Sequence, residues 1–154
     1  MLTHPSPNFK QRPKGEKPSV IVLHASAGKS DAGDVSWIVS PKSGISYHIL
    51  IGRDGAVYRF VDPKHMAYHA GESMFKGRKF VNQFSIGVSF ANRHDGTEML
   101  TGAQIEKGKT VVRELIGDWP IKHITTHAEI APNRKTDPLK IPNFYLADWQ
   151  ALLT

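Results

Sequence analysis

The chain has 154 residues, enough for one domain with a real core and too few to divide comfortably into two. Hydrophobic residues make up 40% and charged residues 22%, with 13 glycines and 10 prolines scattered along the chain, a composition that excludes extensive disorder. The net charge of +6 predicts attraction to polyanions, and the absence of cysteine excludes disulfides and thiol nucleophiles, leaving any metal to histidine and carboxylate.

Residues 1–18 are rich in proline and lysine and read as an extended arm over the surface, with 19–154 as a single domain. The opening MLTHPSPNFKQRPKG lacks an apolar leader, and no later window is long enough to span a bilayer, so synthesis in the cytoplasm is expected. SVIVLHAS, from Ser19 to Ser26, suits a buried strand ending at His24. Asp34 is expected to cap a short helix running through Trp37 and stopping before Pro41.

ISYHILIGRDGAVYRFVD predicts a hairpin turning at Arg53-Asp54-Gly55, with Tyr47 and His48 alternating across its first strand. HMAYHAGESMFKGRKFVN shows no steady period and reads as loop; FSIGVSFAN reads as another buried strand. Thr101 and Gln104 form a capping-box pattern before a helix carrying Ile105, Val112, Leu115 and Ile116 to about Asp118. IKHITT returns as a strand, and Pro142-Asn143 introduces a last helix bearing Phe144, Leu146, Trp149, Leu152 and Leu153. Strands alternating with helices, plus a hairpin, predict an α/β domain with a central mixed β-sheet flanked by helices.

Taken singly, the chemical residues are ambiguous. A histidine ending an apolar strand, such as His24, is more often hydrogen-bonded to backbone than a ligand, and His127 alone is no different. The pairs His65/His69 and His123/His127 have spacing four, which a strand or a helix can place on one face. His4 and His94 read as surface residues. Lys135 and Asp137 are either a solvated pair or a cation beside a metal ligand. No phosphate loop, nucleic-acid motif or G-x-S-x-G elbow is present, so no nucleic-acid partner is expected.

Read together and in order, IVLHAS, GISYHILIGRDGAVYRFVD, AYHAG, FSIGVSFAN and HAEIAPNRKTDP resemble the type 2 N-acetylmuramoyl-L-alanine amidases, whose fold is shared with the peptidoglycan recognition proteins. The resemblance spans about Asn8 to Pro138. It implies Zn2+ held by His24, His127 and Asp137, with Lys135 stabilising the oxyanion, Tyr47 near the metal-bound water, and His69 lining the muropeptide groove. Many relatives carry a glutamate general base where this chain has Ser89, which brings it nearer to the phage branch and moves proton transfer to Tyr47. Leu139 stands where the family usually has glycine after Asp-Pro, which implies a changed loop path.

The expectation is therefore a monomeric zinc amidase cutting the N-acetylmuramic acid to L-alanine bond of peptidoglycan. The phage or prophage endolysin form would act on the cell wall after release by another protein. A non-catalytic peptidoglycan-binding module and a cytoplasmic recycling amidase acting on anhydro-muropeptides are the alternatives.

Overall fold

The computed structural model describes residues 1–154. In chain order its elements are β1 (Phe9–Gln11), β2 (Val20–Ala25), α1 (Asp31–Val39), β3 (Ile49–Ile51), β4 (Val57–Arg59), β5 (His65–Ala67), β6 (Met74–Phe75), β7 (Arg78–Lys79), β8 (Ser85–Phe90), α2 (Gly102–Asp118), β9 (His123–Thr126), α3 (His127–Ile130) and α4 (Leu146–Gln150). Five strands form the central sheet in the order β4-β3-β8-β2-β9. The β2/β8, β2/β9 and β3/β8 pairs are parallel and β3/β4 antiparallel, so the sheet is mixed, as expected.

Every residue of β2 and β8 is buried, because both faces of these central strands are covered. On one face Ile21, Leu23, Ile86, Val88, Phe90 and Ile124 pack against Val111, Val112 and Leu115 of α2 and Trp149 of α4. By strict alternation the other face receives Val20, Val22 and His24 from β2, and their register partners Ser85, Gly87 and Ser89 from β8. Two smaller apolar clusters cover that face: Val20 and Val22 with Val81, Phe84 and Ile130, and Leu50 with Ile38, Phe60 and Val61. The polar residues His24 and Ser89, together with Gly87, thus share the face on which the site is built.

The hairpin forms as predicted, with Leu50 opposite Tyr58 and Gly55 at φ +87 in the turn. Tyr47 and His48 lie just before β3 rather than within it. The capping box is present in full: Thr101 Oγ1 accepts from Gln104 N, and Gln104 Oε1 accepts from Thr101 N, both at 3.1 Å. Asp34 does not cap α1. Ser30 does, accepting from Gly33 N at 3.0 Å, while Asp34 turns inward and accepts from Ser26 Oγ at 2.5 Å. The last helix is shorter than expected, with Phe144 ahead of α4 and residues Ala151–Leu153 continuing as a 3-10 turn.

The segment read as loop contains three short strands. β5 pairs with β1, and β6 with β7. Residues 1–18 are mostly exposed and are anchored at Ser6, Asn8 and Arg12, which are buried. Arg12 donates to the carbonyls of Pro63, Asn82, Gln83 and Ser85 at 2.8–3.1 Å. No helix is long and apolar enough to cross a membrane.

Candidate metal centre

His24 leaves the sheet from the end of β2, while His127 begins α3 immediately after the parallel neighbour β9. Asp137 is brought back beside them by the turns that follow α3, where Ala128 N donates to Asp137 O at 2.9 Å. The two Nδ1 atoms are 3.1 Å apart; His24 Nδ1 lies 3.3 Å from Asp137 Oδ2, and His127 Nδ1 lies 3.2 Å from Asp137 Oδ1. Ligands 2.0–2.1 Å from a shared tetrahedral zinc would be about 3.3 Å apart, so this donor set fits such an ion. Two imidazoles and one carboxylate leave a fourth position for water or substrate, the mark of a catalytic rather than a structural site.

The outer nitrogens are also engaged. His24 Nε2 meets His69 Nδ1 at 2.9 Å, and His69 Nε2 meets Ser85 Oγ at 2.9 Å. His127 Nε2 lies 3.0 Å from Ala70 O, which also accepts from Arg134 Nη2 at 2.7 Å. Such contacts select the tautomer that leaves Nδ1 free to bind a metal. With Nδ1 of His24 ligating, its Nε2–H donates to His69 Nδ1, and His69 Nε2–H to Ser85. The resemblance gave His69 a place in the substrate groove; it does line the cavity, yet both its ring nitrogens are already bonded within the protein.

Burial pushes the His24 pKa down to about 4, against the opposing hydrogen bond to Asp137, so its imidazole is neutral at neutral pH. Burial alone would raise the Asp137 pKa, but the two adjacent imidazoles, His127 and His24, outweigh it and hold the carboxyl well below its usual range. Both groups are therefore in the protonation states that metal binding needs. Burial, and then the Asp137 charge, raise the Tyr47 pKa, so Tyr47 stays a neutral phenol.

A cavity of about 590 Å³ opens over the cluster. Its lining includes Tyr47, His69, His127, Lys135 and Asp137, and the Tyr47 ring lies 5.0 Å from that of His24. All six site residues named by the resemblance converge here. Ser89 pairs with His24 across β2 and β8, and its Oγ is buried with no hydrogen-bond partner in the protein. His123 and His65 do not join: His123 packs by Phe75 at the other end of β9, and the His65 ring stacks on Phe9. Trp37, Arg134 and His94 also line the cavity. His94, expected at the surface, is half-buried beside the cavity instead, because its place depends on how two distant loops meet.

A mixed sheet with a two-histidine, one-carboxylate cluster in an open cavity is an arrangement suited to metal-assisted catalysis. The sequence profile of the N-acetylmuramoyl-L-alanine amidases matches residues 14–140. The 1,6-anhydro-N-acetylmuramyl-L-alanine amidase AmpD of Enterobacter cloacae is 36% identical, over 97% of this chain and 88% of its own. A crystal structure of an AmpD derivative superposes with a TM-score of 0.85 at 32% identity, covering 100% of this chain and 97% of that one. An endolysin amidase, LysCS of Clostridium intestinale, gives 0.68 at 25% identity, covering 90% and 84%. The chain belongs to the N-acetylmuramoyl-L-alanine amidase family, and it is a hydrolase of that class.

Proposed function

We propose that the chain hydrolyses the amide between N-acetylmuramic acid and L-alanine with a zinc ion held by His24, His127 and Asp137, and that its substrate is a soluble anhydro-muropeptide. The near full-length likeness to a 1,6-anhydro-N-acetylmuramyl-L-alanine amidase carries the substrate assignment. Zinc bound there supplies a Lewis acid for the scissile carbonyl and lowers the pKa of a water towards neutrality.

The chain's own residues do the rest. Lys135, exposed at the cavity, offers a cation to the oxygen that gains charge when the carbonyl becomes tetrahedral. Tyr47, as a neutral phenol, orients the attacking water by hydrogen bonding and does not act as a phenolate base. His69 and Ala70 O hold the two imidazoles in place.

On this reading a soluble fragment is cut, and release to the cell wall is unnecessary. The endolysin reading stands second, supported by the likeness to LysCS and by Ser89 in place of the glutamate expected of recycling enzymes. The complete ligand set gives no support to a non-catalytic module.

The test is mass spectrometry of products from soluble anhydro-muropeptides and from intact sacculi, each with chelator and then added zinc. Free stem peptides from the soluble fragments, lost with chelator and restored by zinc, are the expected result. Efficient release from sacculi with little from fragments would replace this substrate by the wall polymer.

A further inference from the structure

His94 sits in a loop after β8, at φ +55, a left-handed conformation that side chains other than glycine enter at some cost and that histidine enters more readily than most. The surroundings hold it there. His94 N donates to Asn92 Oδ1 at 2.7 Å, and Asn92 is fully buried, with Nδ2 donating to Glu98 O at 3.0 Å and N donating to Ser26 Oγ at 3.3 Å. Glu98 is in turn gripped by Arg53 at 2.6 Å. A strained residue fixed so thoroughly beside a cavity suggests a functional constraint.

The ring is equally constrained. His94 Nε2 accepts from Lys140 N at 3.1 Å, three residues beyond Asp137. A nitrogen that accepts carries no proton, so the proton of the neutral ring is on Nδ1. Burial lowers the His94 pKa and favours that neutral form. Nδ1 has no partner in the protein, and the ring lines the same cavity as Lys135 and Asp137 without being among the atoms gathered at the metal position.

With its acceptor nitrogen capped by a backbone amide, this ring can only donate. We infer that His94 is a substrate-binding residue whose Nδ1–H donates to a carbonyl or carboxylate oxygen of the muropeptide beside the scissile bond; the inference rests on the amidase reading above. The fixed loop means that no conformational freedom is lost when the contact forms, so the hydrogen bond contributes to binding without an ordering cost. Lys135 and Arg134 in the same cavity favour the same kind of acceptor group.

The experiment compares wild type with His94→Ala and His94→Asn on a soluble anhydro-N-acetylmuramyl tripeptide. KM, kcat, zinc content and thermal midpoint are measured for each. Loss of one neutral hydrogen bond should raise KM of His94→Ala about fivefold to tenfold, with kcat within about twofold. Zinc content should be unchanged, and the thermal midpoint should fall slightly, because alanine loses the bond from Lys140 N and tolerates the left-handed backbone less well than histidine. Asparagine tolerates the left-handed backbone and keeps an N–H donor, so His94→Asn should recover part of the KM change. An unchanged KM in His94→Ala would overturn the inference. So would a fall in zinc content and kcat together, because the ring would then merely hold the Asp137 loop. If wild type cuts nothing, the amidase reading fails by itself, and calorimetric binding of the same tripeptide to wild type and His94→Ala still decides whether His94 touches it.

Discussion

Gly87 and His69 compete for the same space: a Cβ on Gly87 would lie 2.5 Å from His69 Cγ and 2.8 Å from its Nδ1. That Nδ1 is the atom that meets His24 Nε2. Gly87→Ala should push the His69 ring away and free His24 to rotate, weakening zinc binding about 10–100-fold. Chelator competition measures this directly. Wild-type affinity in Gly87→Ala would mean that His69 does not orient His24.

Lys135→Ala should keep its zinc but lower kcat about a hundredfold or more, the usual loss when an oxyanion donor is removed. Metal analysis and steady-state kinetics on one preparation are sufficient. A variant with normal kcat would reduce Lys135 to a surface charge, and one without zinc would make it part of the metal site instead.

Arg12→Ala should destabilise the fold by about 3 kcal/mol, because four carbonyls lose the charged donor that satisfies them. Lysine has no planar fork and should restore less than half. Urea unfolding of the three proteins reads the difference, and a loss below about 0.5 kcal/mol would show residues 1–18 to be energetically detached.

Acid sensitivity should begin near pH 6.5. His48 is fully buried, accepts from Gly87 N at 3.0 Å through Nδ1, and lies 2.8 Å from His65 O through Nε2. Burial pushes its pKa from 6.5 down to about 3. Between these values the unfolded chain binds a proton that the folded state refuses, so stability falls as pH falls, by about 1.4 kcal/mol per pH unit for one such proton. In zinc-free protein His24, whose pKa burial also lowers, adds to this loss between pH 6.5 and about 4. His48→Asn keeps an acceptor for Gly87 N and should flatten the profile; an identical slope would locate the acid sensitivity elsewhere.

What could be read from the sequence follows how local each signal was. β2, β8, the β3–β4 hairpin and the capping box of α2 are specified by runs, pairs and spacings within a few residues, and they formed as expected. The β1–β5 pair joins two three-residue strands far apart in the chain, too short to show a period. Asp34 was the expected cap by residue type; that Ser30 faces the helix end while Asp34 faces Ser26 depends on tertiary path. The metal cluster was legible only through the ordered blocks of a family pattern. The bonds from His69 to His24 and from Lys140 to His94 join segments that no pattern connects.

The two histidines of the metal cluster are separated by 103 positions in sequence. They meet only after β9 has docked beside β2 and the chain beyond α3 has turned back, so closing that long loop must precede any complete metal site. A chain in which only the hairpin and β8 have formed offers the ion none of its three ligands. Zinc held there would therefore act late in folding, slowing the unfolding of finished molecules more than it speeds their formation.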